Sequence, residues 1–184
     1  MNAKRLRSLA WSKDEYMIST DSSLVSLDIF NQWLVTSDMH WAKPVPPDVL
    51  QEMLDHSLVF GLYENPDAVV MGGEGASKSN LTMVGIARCV TDFTTFLYLT
   101  DVYVGPRLQG QGLGTWLILK VQEVIDSMPN LRRSLLFTSD WERSVPFYEK
   151  HMGVEVIEST RGSGMAILSK KGAGHVVVDD AERQ

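Results

Sequence analysis

The chain holds a single cysteine, Cys89, among 184 residues. That excludes an internal disulfide and fits a reducing compartment, so a cytoplasmic location is expected. Cys89 lies inside an apolar run, where a buried and inert thiol is the default. Histidine numbers only four, and no grouping of His, Cys and carboxylates suggests a metal site. No apolar run is long enough to span a bilayer, and no signal peptide is evident, so no membrane partner is expected. Positive charge is in deficit. The net charge of −6 argues against nucleic acid as a partner and mildly favours amine ligands, although it fits a generic acidic protein equally well. What the chain does have is a globular composition, 44% hydrophobic and 22% charged, at a length that makes one domain with a substantial core.

The most informative stretch runs from Leu97 to Val124. Its first half is dense in β-branched and aromatic residues and reads as a strand stopped by Pro106. Its second half places Leu113, Trp116, Leu117, Val121, Val124 and Ile125 on one helical face. Between them Gly110, Gly112 and Gly114 alternate with Gln109, Gln111 and Leu113. Side-chain-free residues at a helix start bare the first N–H groups at the positive end of the dipole, which suits a phosphate. No Lys-Ser or Lys-Thr follows these glycines, so this is not a P-loop. The i, i+2, i+4 spacing, late in the chain, does not fit the dinucleotide fingerprint either.

Residues 1–12 are expected as a loosely held tail. A first strand covers 14–20, and Asp21-Ser22-Ser23 caps a helix with Leu24, Leu27, Phe30, Trp33 and Leu34 on its face. A loop over 36–45 holds Met39, His40 and Trp41, and Pro46-Pro47 opens a second helix. Strands over 57–64, 83–91 and 93–104 make an antiparallel meander, with a long polar loop over 65–81. A helix over 112–127 then crosses to a short strand over 134–138 that lies parallel to its predecessor. A helix over 140–151 ends at Met152-Gly153, and 154–158 pairs with 165–169 as a hairpin. The fold class is α/β, one domain over 13–170 with a tail over 171–184. Its sheet is mixed and mostly antiparallel, with about 6–7 strands flanked by about four helices.

Gln109-Gly110-Gln111-Gly112-Leu113-Gly114 resembles the acetyl-coenzyme A loop of the GNAT superfamily of N-acetyltransferases, Gln/Arg-x-x-Gly-x-Gly/Ala. Val102-Tyr103-Val104-Gly105-Pro106 resembles that family's preceding strand. Ser144-Val145-Pro146-Phe147-Tyr148-Glu149-Lys150-His151-Met152-Gly153 resembles its Ala-x-x-Phe-Tyr-x-Lys-x-Gly element, with one extra residue before the glycine. The element order agrees over roughly residues 13–170. The resemblance implies that Val102, Tyr103 and Val104 pair by backbone with the pantetheine arm, and that an N–H of this strand polarises the thioester carbonyl. It implies that Gln109, Gly110, Gln111, Gly112, Leu113, Gly114 and Thr115 wrap the pyrophosphate. It implies that Tyr148 protonates the departing thiolate, a role suited to a phenol neutral at pH 7. The family asparagine before that tyrosine is replaced here by Trp141, leaving Asp140 or a backbone group for that cofactor contact.

Asp101 has two readings of equal weight. It is a general base one residue before the cofactor strand, or a strand-face carboxylate paired with Arg88. His40 and Glu64 are weaker bases. Acceptor selection is expected from His40, Trp41, Arg88, Asp92 and Phe93. The implied activity is direct acetyl transfer from acetyl-CoA to a primary amine of a small molecule, by a monomer or homodimer. The alternatives are a non-catalytic acyl-CoA-binding domain and a peptide or protein N-acetyltransferase.

Overall fold

A computed structural model describes residues 3–35, 39, 41–65 and 81–157. Among these, six strands form one sheet in sequence order. They are β1 (Ala10–Lys13), β2 (Tyr16–Ser19), β3 (Ser57–Glu64), β4 (Thr82–Thr91), β5 (Phe96–Val104) and β6 (Arg133–Leu136). The helices are α1 (Ala3–Leu6), α2 (Leu27–Trp33), α3 (Pro47–Asp55), α4 (Leu113–Asp126) and α5 (Ser144–Met152). β1 to β5 are antiparallel neighbours, and β6 joins β5 in parallel. The sheet is therefore mixed and mostly antiparallel, as the sequence predicts, with α4 supplying the crossover.

Helices cover both faces, so the core has two halves. On one face Leu6 of α1, Leu117, Ile118 and Val121 of α4 and Met152 of α5 pack on Leu58, Phe60, Ala87, Cys89, Leu97 and Leu99. On the other, Phe30 of α2 and Leu50 and Leu54 of α3 pack on Val59, Tyr63, Ile86 and Tyr103. β3 is buried along nearly its whole length, which is why it reads as a continuous apolar run.

Several local readings are corrected. Residues 3–12, expected within a loose tail over 1–12, are held against the domain. Leu6 is fully buried, the Trp11 ring lies 6.2 Å from that of Phe60, and Trp11 Nε1 donates to Glu123 at 3.1 Å. The single strand expected over 14–20 is the second arm of a hairpin turned at Asp14, whose φ of 51° an aspartate tolerates. The first long helix is broken at Val25. Asp21 caps a 3-10 turn over Ser22–Leu24, and Ser26 caps α2 by accepting from the Ile29 N–H at 3.3 Å. β5 begins at Phe96 rather than Phe93, because Asp92 accepts from the N–H groups of Thr94, Thr95 and Phe96 and forms a turn instead. α5 begins at Ser144 because Asp140 stays outside it and caps Arg143. Residues 154–157 form no strand. The rest of the expected hairpin, the loop over 66–80 and the C-terminal tail lie outside the described residues. Among the described residues no helix is long and apolar enough to cross a membrane.

One irregularity in the sheet sets the facing of the second half of β5. β4 and β5 lose register between Ile86 and Arg88: Arg88 faces Thr100, but Ile86 faces Tyr103. The extra residue is a β-bulge at Asp101, with φ 48°. Its effect is visible in the packing. Leu97 and Leu99 point to the α4 face, whereas beyond the bulge Val102 and Val104 point there and Tyr103 points to the α2–α3 face.

Candidate active site

β5 pairs with β6 only over Phe96–Leu99. Beyond Leu99 that edge of β5 has no strand partner among the described residues. The Gly105 N–H donates to Val84 O at 2.9 Å, back toward β4. Hydrogen-bonding direction alternates along an antiparallel strand, so Val104 turns its own N–H and C=O to the opposite, open edge. There the Gln109 side-chain amide donates to Val104 O at 2.9 Å. On the β4 side the strands are tightly apposed: a Cβ on Gly85 would lie 2.8 Å from Tyr103 O.

The glycine turn follows this open edge. Gly110 and Gly112 have φ of 78° and 79°, and a Cβ built on either meets nothing within 4 Å. These glycines are required by left-handed backbone and leave open space before it. Gly112 directly precedes α4, whose N-terminus carries no side-chain cap. The first N–H groups of α4 thus face that space at the positive end of the dipole. A pyrophosphate-bearing cofactor fits this cradle on two counts, the bare helix start and the room that a Cβ would fill.

Tyr148 sits on α5, half-buried against the α4-side core. Burial pushes its hydroxyl up to about 12, so it is a protonated donor at neutral pH. Phe147 packs edge-on against it at 5.2 Å and contacts the same core. Asp140 has its carboxylate engaged by the Arg143 N–H at 3.0 Å, Arg143 Nε at 3.1 Å and Ser144 Oγ at 3.5 Å. Those bonds, the Arg143 N–H first among them, hold it below its ordinary value. Trp141 is 65% exposed.

The bulge brings together Arg88, Asp101 and Trp41, of which Arg88 and Trp41 are among the residues expected to select the acceptor. Asp101 is buried and pairs with Arg88, Nε to Oδ2 at 2.7 Å. Its other oxygen accepts from Trp41 Nε1 at 3.2 Å and Thr100 Oγ1 at 3.3 Å. Of the two readings for Asp101, the strand-face pair is the arrangement present. The Tyr103 ring lies tilted against that of Trp33, 4.9 Å between centres. Glu64 is taken by Arg107 in a two-pronged ion pair. His40 lies outside the described residues.

Asp92 and Phe93 are not brought to this site. They occupy the β4–β5 turn, before β5 begins, whereas the glycine turn follows its other end. At roughly 3.3 Å per residue, the length of β5 separates them. Asp92 is fully employed in its turn, where Thr95 Oγ1 first and then the backbone N–H groups hold its carboxyl well below the usual range. Phe93 lies under the Arg7 guanidinium at 4.8 Å. Sequence reading also missed Ser57, which links Arg88 to α3, and Thr100. Nothing in the type of either residue marks it out; only the register of β3, β4 and β5 does.

Among the described residues, a strand edge without a strand partner thus runs into a left-handed glycine turn and an uncapped helix start, which suits an extended, phosphate-bearing ligand. The acetyltransferase (GNAT) family model matches residues 29–154, and the chain belongs to that family. It is an N-acetyltransferase. A Gibberella zeae protein named as an acetyltransferase is 33% identical over 172 residues, covering 90% of this chain and 95% of that one. A Mus musculus thialysine N-epsilon-acetyltransferase is 30% identical over 113 residues, covering 55% of this chain and 64% of that one. A GNAT-family crystal structure from Xanthomonas campestris pv. campestris superposes with a TM-score of 0.59 at 29% identity, covering 79% of this chain and 88% of that one.

Proposed function

We propose that the protein transfers acetyl directly from acetyl-CoA to a primary amine of a small molecule. The carrying observation is the open edge of β5 at Val104, continuous with the Gly110–Gly112 turn and the start of α4. The backbone of Val102 and Val104 binds the pantetheine arm as an added strand, and the Gln109 amide gives up Val104 O to it. The turn and the first N–H groups of α4 bind the pyrophosphate. Acetyl-CoA, when bound, supplies an activated thioester acyl group. An N–H of the β5 edge donates to its carbonyl oxygen and stabilises the charge that develops there as the amine attacks. Tyr148 donates its hydroxyl proton to the departing sulfur. Asp101 already accepts from three donors and is assigned to placing the acceptor side. The amine proton leaves through water.

Direct transfer is supported by Cys89. It is fully buried, and burial pushes its thiol up to about 12, so it is no acyl carrier. The small-amine acceptor is supported by the name of the murine relative, thialysine N-epsilon-acetyltransferase. A thiol-release screen across amines, amino sugars, polyamines and peptides tests this. Amine-dependent CoA release with small acceptors is the expected result. Tight acetyl-CoA binding without release would favour a binding domain, and release with peptides alone would favour a peptide acetyltransferase.

A further inference from the structure

We propose that Arg88 is a positioning residue for acetyl transfer, acting through Asp101 to hold the Trp41 indole at the acceptor side of the bulge. This rests on the acetyltransferase reading above. Arg88 and Asp101 are 13% and 8% exposed. A pair taken out of water that far persists only where geometry and further hydrogen bonds compensate its desolvation. Here they do. Arg88 Nε meets Asp101 Oδ2, while Arg88 Nη1 donates to Ser57 Oγ at 3.1 Å. Ser57 Oγ in turn donates to Met53 O in the last turn of α3 at 2.7 Å. A planar guanidinium spans both partners, whereas a lysine ammonium is a point charge on a flexible stem.

The consequence lies at Asp101. Its left-handed backbone is unusual for a residue with a side chain, and such a conformation persists only when its surroundings over-determine it. Arg88, Thr100 and Trp41 provide that constraint. With Oδ2 fixed by Arg88, Oδ1 faces Trp41, whose indole belongs to the loop between α2 and α3 and is 41% exposed. An exposed aromatic ring is thus tethered to the residue immediately before Val102, where the cofactor strand begins. The chain from α3 through Ser57, Arg88 and Asp101 to Trp41 fixes the acceptor wall relative to the thioester. A misplaced wall weakens acceptor capture without touching the pyrophosphate cradle.

The test compares the full chain with Arg88→Gln, Arg88→Lys, Trp41→Phe and the Arg88→Gln/Trp41→Phe double variant. Acetyl-CoA affinity is read by calorimetry, and acceptor KM and kcat with the best amine from the screen. Acrylamide quenching of Trp41 is taken as the difference from the matching Trp41→Phe protein. The expected result is an acceptor KM raised about tenfold in each single variant, the worth of one ordinary hydrogen bond. The double variant should add little further, because the two residues act in series. Acetyl-CoA affinity should stay near wild type, Trp41 should become more quenchable in Arg88→Gln, and Arg88→Lys should recover part of both effects. Unchanged Trp41 quenching, additive KM effects, or cofactor affinity falling in step with acceptor KM would each overturn the proposal. If Arg88→Gln does not fold, Arg88→Lys and Ser57→Ala carry the same comparisons. Absence of transfer by the wild type to any small amine would remove the small-amine reading alone, since the quenching comparison tests the tether without turnover.

Discussion

Replacing Gly112 separates the two demands made on the glycine turn. Gly112 has φ 79° and ψ 1°, and a Cβ there meets nothing within 4 Å. Gly112→Ala therefore creates no clash in the free protein. Its cost is the left-handed backbone alone, roughly 1–2 kcal/mol for an L-residue, which lowers Tm by roughly 2–8 °C in a chain of this size. Asparagine tolerates that conformation, so Gly112→Asn should melt closer to the wild type. Binding behaves differently. Either side chain stands in the space before the bare N–H groups of α4 and costs a charged hydrogen bond, about 1.5–3 kcal/mol, or about 10- to 100-fold in affinity. Calorimetric titration with coenzyme A, alongside thermal melts, reads both quantities. Gly112→Asn should melt near wild type yet bind coenzyme A weakly. If it binds as the wild type does, the pyrophosphate does not sit where this turn places it.

Three further outcomes follow from the packing. Tyr148→Phe should lower kcat by about a hundredfold, the usual worth of one proton donor, with acetyl-CoA affinity little changed; equal turnover would remove Tyr148 as the acid. Burial raises both Cys89 and Tyr148 to about 12, from ordinary values of 9.0 and 10.0. Groups raised in the folded state give stability that is complete below their unfolded values and drains as pH climbs toward the folded ones. Tm should therefore fall from about pH 9 toward about pH 12, and in Cys89→Ala the onset should move toward about pH 10, so a melting temperature flat across that window would contradict this. Leu6→Ala should cost about 2–5 kcal/mol in urea denaturation, as a fully buried leucine does. Lys4→Ala, at an exposed position, should cost almost nothing; equal small effects would restore the picture of a loose N-terminus.

The residues that announce themselves in sequence are those whose chemistry is local. Three alternating glycines before an amphipathic run locate the turn and α4, and every apolar position on the predicted α4 face is buried except half-buried Trp116. β3 is legible because both its faces are covered. The bulge was less so, although a trace is present: Leu97 and Leu99 are followed by Val102 and Val104, an alternation broken by one residue. That slip is what turns Tyr103 to the α2–α3 face and sets Asp101 against Arg88 and Trp41. The N-terminal hairpin escaped notice because Leu6 and Trp11 are apolar residues scattered among basic ones, with too little periodicity to signal burial. Asp92 misled because an aspartate that caps its own turn looks, in sequence, like one offered to a ligand. The Ser57 link depends on register across three strands, which no local pattern carries.

Direct transfer of acetyl from the thioester to an amine can be followed with labelled acetyl. The protein is incubated with [13C]acetyl-CoA and an acceptor from the screen, and small molecules and intact protein are weighed by mass spectrometry. The prediction is one labelled amide for each CoA thiol released, with no label on the protein at any time. Label held on Cys89 or any other side chain, or thiol released without a labelled amide, would contradict it.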